Sequence, residues 1–177
     1  MPHSARENDD DVRQWVLDND IETVLDVGAG SGTYARILRD MVVIDAVEIW
    51  PKYVREFKLS SLYRNVVVGD IRDLAWGDSQ YTSINPEQEY DLVIFGDVLE
   101  HMTKDEALEV WGWASQVARF GLISVPIIHY PQGPEHGNPF EVHVQEHIDL
   151  EELRAEFGPF TYDQTYEVTG TFIKEFS

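Results

Sequence analysis

The 177-residue sequence contains no cysteine, which excludes a disulfide framework and a thiolate zinc site. That absence is compatible with a reducing cytoplasm, the compartment expected here. Long apolar runs are missing as well. Nothing approaches the roughly 20 residues of a membrane span, and the opening "MPHSARENDDDV" lacks the apolar core of a secretory signal, so no membrane partner is expected. Basic residues are scarce: 13 Lys and Arg stand against 33 Asp and Glu, a net charge of −20 with no basic cluster. Such a field repels phosphate backbones and argues against nucleic acid as a partner; its simplest consequence is a soluble, acidic protein. There is no internal repeat and no low-complexity linker. The length suits one domain over residues 1–177, with 1–9 as a flexible N-terminal extension. Nothing in the sequence specifies an oligomeric state.

What is present is an alternation of short β-rich runs and amphipathic stretches, which predicts a parallel sheet covered by helices. Val12, Trp15 and Val16 share one face of a helix over 10–18, and Thr23–Val27 forms the first strand. Ala35, Ile37, Leu38 and Met41 mark a second helix, Val42–Glu48 a second strand, and Pro51 opens a helix carrying Tyr53, Val54 and Phe57. Asn65–Ile71 reads as a third strand, the polar run Gly77–Glu89 as a surface loop, and Tyr90 to about Gly96 as a fourth strand. Thr103 and Glu106 make a capping box for a helix closed by Gly121, and "LISVPI" is the fifth strand. Residues 128–147 are irregular and too long for an ordinary connector, which makes them an expected active-site loop. A short helix from Asp149 stops at Gly158-Pro159, and two final strands join near Gly170.

The first strand runs into "VLDVGAGSGTY", and a strand, a glycine turn and a helix N-terminus together present backbone N–H groups to a ligand. A dinucleotide fingerprint would carry a last glycine where Thr33 stands, and Asp26 precedes the first glycine by two residues. A carboxylate there opposes pyrophosphate and suits an ammonium or sulfonium. Glu48, about 20 residues on at the end of the second strand, is placed for both ribose hydroxyls. Asp70, at the end of the third strand, can accept from an adenine amino group beside the Ile71 backbone. Each acid alone is ordinary at a strand end; in this order they outline a nucleoside pocket.

With these residues the chain resembles the class I S-adenosylmethionine (SAM)-dependent methyltransferases over nearly its whole length. "VLDVGAGSGTYARIL" is similar to that family's first motif, "VEIW" to its ribose-binding acid, "GDIRDL" to its adenine-contacting segment and "YDLVIFGDVLEHM" to its fourth motif. The resemblance implies an α/β fold of three layers, α/β/α, around a seven-stranded Rossmann-like sheet of order 3-2-1-4-5-7-6 with the last strand antiparallel. It also implies SAM as cofactor and S-adenosylhomocysteine (SAH) as product. Asp26, Gly28, Gly30 and Gly32 would surround the methionine part, Glu48 the ribose, Asp70 and Ile71 the adenine, with Ile49 also cofactor-binding, while Asp97 and Val98 would lie beside the methyl group. Trp50 and Tyr34 either pack on the nucleoside or belong to the core.

Methyl transfer from a sulfonium disperses charge, so a general base is needed only where the acceptor must lose a proton, as a hydroxyl does. Five of the six histidines follow the fourth strand: His101, His129, His136, His143 and His147. His101, in "DVLEHM", has three readings: structural, acid–base, or metal-ligating, the last resembling a subgroup of the family whose E-x-x-E-H motif and a later histidine bind a divalent metal. Here Asp97 replaces the first Glu, so whether Asp97, Glu100, His101 and His147 bind a metal stays open, and no metal is assigned. His143 and His147, spaced four apart, would share one side of a helical turn and could complete such a site. His101 and His143 are the candidate catalytic residues, and His129, Tyr130 and Glu141 the candidate substrate contacts. The leading reading is methyl transfer to a small-molecule acceptor, an oxygen of a sugar or hydroxylated metabolite. A non-catalytic SAM-binding protein and a nicotinamide-dependent oxidoreductase are the alternatives, the latter disfavoured by Thr33.

Overall fold

The computed structural model describes residues 6–75 and 90–176, so the expected surface loop over 77–89 lies outside the described residues. Seven strands form one sheet of order β3-β2-β1-β4-β5-β7-β6, the order implied by the resemblance. The strands are β1 Thr23–Val27, β2 Val43–Glu48, β3 Val66–Val68, β4 Tyr90–Gly96, β5 Ala118–Pro126, β6 Tyr162–Thr165 and β7 Thr169–Glu175. β1 to β5 are parallel to one another, and β7 runs antiparallel to both β5 and β6. The central strands are apolar on both sides, as a sheet covered on two faces requires: Leu25, Leu92, Val93, Ile94 and Phe95 have no exposed surface.

Among the described residues, six α-helices cover the sheet: α1 Asp9–Asp18, α2 Thr33–Ile37, α3 Pro51–Glu56, α4 Ile71–Ala75, α5 Lys104–Val117 and α6 Leu150–Phe157. Val12 and Val16 of α1 and Tyr34, Ala35 and Ile37 of α2 pack on one face. Val110, Trp111 and Ala114 of α5 and Leu153 and Phe157 of α6 pack on the other. Both halves of the capping box at α5 are present, the Thr103 hydroxyl accepting from the Glu106 N–H and the Glu106 carboxylate accepting from the Thr103 N–H.

Several expectations are corrected. Gly121 does not close α5: the helix ends at Val117 and passes directly into β5, where a Cβ at Gly121 would lie 2.5 Å from both Trp111 and Phe176. That glycine serves packing between the sheet and α5. Ile71 starts α4 rather than ending β3, because Asp70 Oδ1 accepts from the Arg72 N–H at 2.9 Å and turns the chain. The last two strands join at Tyr166–Val168, closed by the Tyr166 N–H to the Thr169 carbonyl at 2.8 Å, and Gly170 lies within β7. The N-terminal extension is anchored from Glu7 on. Asn8 is buried and donates from Nδ2 to Thr171 at 2.7 Å and Ser124 at 3.2 Å, and Glu7 accepts from the Val168 and Thr169 N–H groups.

Candidate active site

A cavity of about 330 Å³ opens at the carboxyl ends of β1, β2, β3 and β4, where ligands bind in open α/β sheets. Its floor is the turn between β1 and α2. The Gly28 and Ala29 N–H groups donate to the Val47 carbonyl at 2.9 and 3.3 Å, which ties the turn to β2. Gly28, Gly30 and Gly32 all have positive φ, at 71°, 52° and 82°. A Cβ at Gly28 would lie 2.5 Å from Val98 Cγ2, so only glycine lets the turn pass beneath that side chain.

The three glycines divide in role. Gly28 and Gly30 line the cavity, whereas Gly32 does not: a Cβ there would strike Leu62 at 2.7 Å, which makes Gly32 a helix-packing glycine. Asp26 is also displaced from its expected place. It does not line the cavity, but is buried beneath the turn and accepts from the Tyr63 hydroxyl. Burial pushes its pKa up to about 7 against the lowering effect of that hydrogen bond, with the Glu48 charge adding to the rise.

Along the β2 and β3 walls stand Glu48, Ile49, Asp70 and Ile71, all lining the cavity. Glu48 is 3% exposed; Oε2 accepts from the Gly30 N–H at 2.8 Å and Oε1 from the Trp50 N–H at 2.7 Å. Each oxygen keeps a second lone pair for a ligand hydroxyl. Burial raises the Glu48 pKa, and the two backbone donors oppose that rise. Asp70 is gripped by the Arg72 guanidinium, Nε at 3.0 Å from Oδ1 and Nη2 at 2.6 Å from Oδ2, while Nη1 reaches Glu106 at 2.8 Å. Trp50 does not line the cavity; its ring meets Phe140 edge-on, with centroids 6.0 Å apart. Tyr34 does line it, packed so closely on Gly96 that a Cβ there would overlap its ring.

The remaining wall comes from the end of β4 and the 128–147 segment. Asp97 has a φ of 52°, uncommon for a residue with a side chain, and its N–H donates to the Ser124 carbonyl at 2.8 Å. Asp97 and Val98 line the cavity, as do Glu100, His101, Tyr130, Glu141 and His143. The two loops are bolted together: the Val144 and Gln145 N–H groups donate to the Glu100 carbonyl at 2.9 and 3.0 Å, and Gln145 Nε2 donates to the Leu99 and Met102 carbonyls at 2.9 and 3.0 Å. This brings the His101 and His143 rings to a centroid distance of 4.8 Å, edge to face. His101 Nδ1 lies 3.1 Å from the Val142 carbonyl and His143 Nδ1 2.6 Å from the Tyr130 carbonyl. A carbonyl only accepts, so His143 Nδ1 carries the proton and its Nε2 keeps a lone pair, whereas the His101 ring meets two backbone acceptors, at Val142 and Asp97. Burial, the main cause, pushes His101 down to about 4 and also lowers His143, so both rings are neutral at pH 7.

Two expectations about the loop do not hold. His129 is exposed and does not line the cavity. His147 is not beside His143 on a helical turn, because residues 142–147 form no helix; it borders a separate, smaller hollow with Asp149 and Glu152. Sequence reasoning also passed over residues that line the site: Tyr53, Gln132, Asn138 and Phe140. Asn138 carried a readable signal, since Asn-Pro-Phe places an N-capping side chain, and its Oδ1 accepts from the Phe140 N–H at 2.9 Å.

The donor set fits an adenosyl ligand that ends in a cationic amino acid. A side-chain-free floor, the Glu48 carboxylate for a vicinal diol, apolar Ile49 and Ile71 for a purine, and acids at 97, 100 and 141 all face one cavity. Among curated protein sequences, none matches the chain. Solved structures match widely in fold. One is a SAM-dependent methyltransferase from Clostridium acetobutylicum (10% identity, 94% of this chain, 89% of that chain, TM-score 0.67). Another is magnesium protoporphyrin IX methyltransferase from Synechocystis with bound SAM (17%, 97% and 79%, TM-score 0.63). A third is the N-terminal domain of EvdMO1 in the presence of SAH and D-fucose (14%, 99% and 85%, TM-score 0.66). A family model described as a methyltransferase domain matches residues 25–119, more than half of the chain and the whole run from the glycine turn to β5. The chain belongs to that methyltransferase domain family and is a SAM-dependent methyltransferase.

Proposed function

We propose that the chain methylates a hydroxyl oxygen of a small acceptor, a sugar or a hydroxylated metabolite, with His143 as the proton acceptor. The observation that carries this reading is the neutral imidazole of His143 on the acceptor side, with Nδ1 fixed to the Tyr130 carbonyl and Nε2 left to accept. An amine can attack from its neutral form without a base, whereas a hydroxyl gains from one. When bound, SAM supplies a methyl group on a sulfonium, and the C–S bonding pair stays on sulfur as the methyl leaves. Gly28, Gly30 and Glu48 would hold the cofactor, and Val98 packs over the turn at the floor of the cavity. His143 Nε2 takes the proton that the hydroxyl loses as its oxygen bonds to carbon. Tyr130 and Glu141 border the space left for the acceptor, and exposed Tyr130 and Phe140 stand at its mouth. The fold neighbour obtained in the presence of SAH and D-fucose is compatible with a sugar hydroxyl.

The test is transfer of labelled methyl from SAM to a panel of sugars, polyols, phenols, amines and carboxylic acids. Hydroxyl compounds should be labelled, and His143→Ala should lower kcat at least tenfold while SAM affinity stays within about twofold. Labelling confined to amines, or unchanged kcat in the variant, contradicts the reading. No labelling of any acceptor despite SAM binding favours a non-catalytic binding role.

A further inference from the structure

We infer that the acceptor carries an uncharged apolar arm, which lies on Tyr130 and Phe140 at the mouth of the cavity while its reacting group enters. Only the identity of that group, a hydroxyl, rests on the reading above. Seven large apolar side chains are exposed among the described residues, and four of them, Ile128, Tyr130, Phe140 and Val144, fall within residues 128–144. Single exposed apolar residues are ordinary on any surface, whereas a group gathered on the segment that walls a catalytic cavity marks a binding surface. Tyr130 and Phe140 are the two of the seven that also line the cavity, at 43% and 40% exposure, so each ring meets the cavity and solvent at once.

The rim is built before any acceptor arrives. Residues 130–132 double back on 143–146, with the Tyr130 N–H donating to the Glu146 carbonyl at 2.9 Å and the His143 N–H to the Gln132 carbonyl at 3.0 Å. Gln132 Nε2 donates to the Glu141 carbonyl at 2.7 Å, and the Asn138 N–H closes the intervening turn on the Glu135 carbonyl at 2.7 Å. Each ring rests on a fixed neighbour. Tyr130 lies against His143 with centroids 5.5 Å apart, and Phe140 against Trp50, whose N–H donates to Glu48. Aromatic surface held in place this way is covered by a ligand with little further loss of side-chain freedom.

Charge narrows the chemistry of the arm. Residues 128–147 bear Glu135, Glu141 and Glu146 but no Lys or Arg. Among the Lys and Arg of the described residues only Arg72 lines the cavity, and Asp70 and Glu106 hold its guanidinium. On a chain of net charge −20, an arm bearing a carboxylate or phosphate would meet repulsion. Tyr130 packs against His143 itself, so the occupant of this rim is the molecule whose reacting group stands at His143 rather than a separate partner.

The probes are 1,2-alkanediols of increasing chain length, titrated calorimetrically into the SAH-loaded protein, with diols of the same lengths that end in a carboxylate and with 1-aminoalkanes alongside. A methylene moved wholly out of water strengthens binding about fourfold, so against half-exposed rings the diols should gain about twofold per added carbon. Tyr130→Ser and Phe140→Ser should each flatten that gradient, whereas Leu17→Ser, at an exposed apolar residue of α1, should leave it intact. Tyr130→Ser keeps the backbone carbonyl that holds His143, and melting curves with SAH affinity check the fold of every variant. The carboxylate-ended diols should bind at least tenfold more weakly than the plain ones. A gradient that is absent, or that persists in both ring variants, overturns the inference, as does equal or tighter binding of the carboxylate-ended series. Self-association that Phe140→Ser abolishes and the diols displace assigns the rim to a second copy of the chain and also overturns it. Labelling from SAM confined to the aminoalkanes, with the gradient intact, upholds the arm and refutes the hydroxyl reading; labelled diols without a gradient do the reverse.

Discussion

The contact between Gly28 and Val98 gives a prediction whose size follows from the structure. A Cβ at Gly28 lies 2.5 Å from Val98 Cγ2, but 3.7 Å from Val98 Cβ and 3.8 Å from Cγ1. Gly28→Ala therefore carries two costs: about 1–2 kcal/mol for an L-residue at a φ of 71°, and about 1–3 kcal/mol for the overlap with one methyl. Val98→Ala alone removes two methyls from a side chain that is 9% exposed and costs about 1–2 kcal/mol. In the double variant the overlapping atom is gone and the nearest remaining one sits at ordinary contact distance. The two substitutions should couple favourably by about 1–3 kcal/mol, leaving the φ cost and the truncation. Urea denaturation of the wild type, both single variants and the double variant measures the cycle, with SAM calorimetry in parallel. Affinity should fall most in Gly28→Ala and recover partly in the double variant. Strict additivity of the two stability changes would refute the packing account of this glycine.

Asp26 and Tyr63 predict a pH dependence. The folded pKa of Asp26 is raised to about 7 from an unfolded value of 3.8, so the stabilising protonated form is complete below pH 3.8 and is lost as pH rises through 7. Relative to wild type, Asp26→Asn should gain stability across that window, on the order of 1.4 kcal/mol per pH unit at the steepest, and a flat difference in melting temperature between pH 4 and pH 7 would contradict it. Thr103→Ala removes one half of the capping box and should cost about 1 kcal/mol in denaturant titrations without changing SAM affinity. His147→Ala should leave methyl transfer unchanged in a kinetic assay, because that ring borders a different hollow.

Much of the architecture was legible because its signals are local. β1 runs into a turn with three glycines, β4 is apolar from Leu92 to Phe95, and Thr103 with Glu106 announces a helix start, so strand order and the main helix followed from spacing and resemblance. The divisions within the site were not legible in the same way. Gly30 and Gly32 look alike in sequence, yet one faces the cavity and the other faces Leu62, a distinction made by α2 packing. Asp26 reads as a ligand contact from its place before the turn, but its side chain leaves β1 on the side where Tyr63 waits, 37 residues away. The four-residue spacing of His143 and His147 implied a helical turn that the segment does not form: the backbone is already extended at Val142, and residues 142–147 contain no helix. The proximity of Glu100 and His143 depends on Gln145 and Val144 docking on the turn after β4, a tertiary event with no local signature.

The glycine turn and the Glu48 carboxylate fit an adenosyl ligand rather than a dinucleotide. Calorimetric titration of wild type and Glu48→Gln with SAM, SAH and NAD tests that fit most directly. SAM and SAH should each bind at one site, NAD should not, and Glu48→Gln should weaken both by about tenfold or more, since an amide cannot accept at both oxygens from the Gly30 and Trp50 N–H groups and still serve the ribose. Binding of NAD in preference to SAM, or SAM affinity indifferent to Glu48→Gln, would contradict the account.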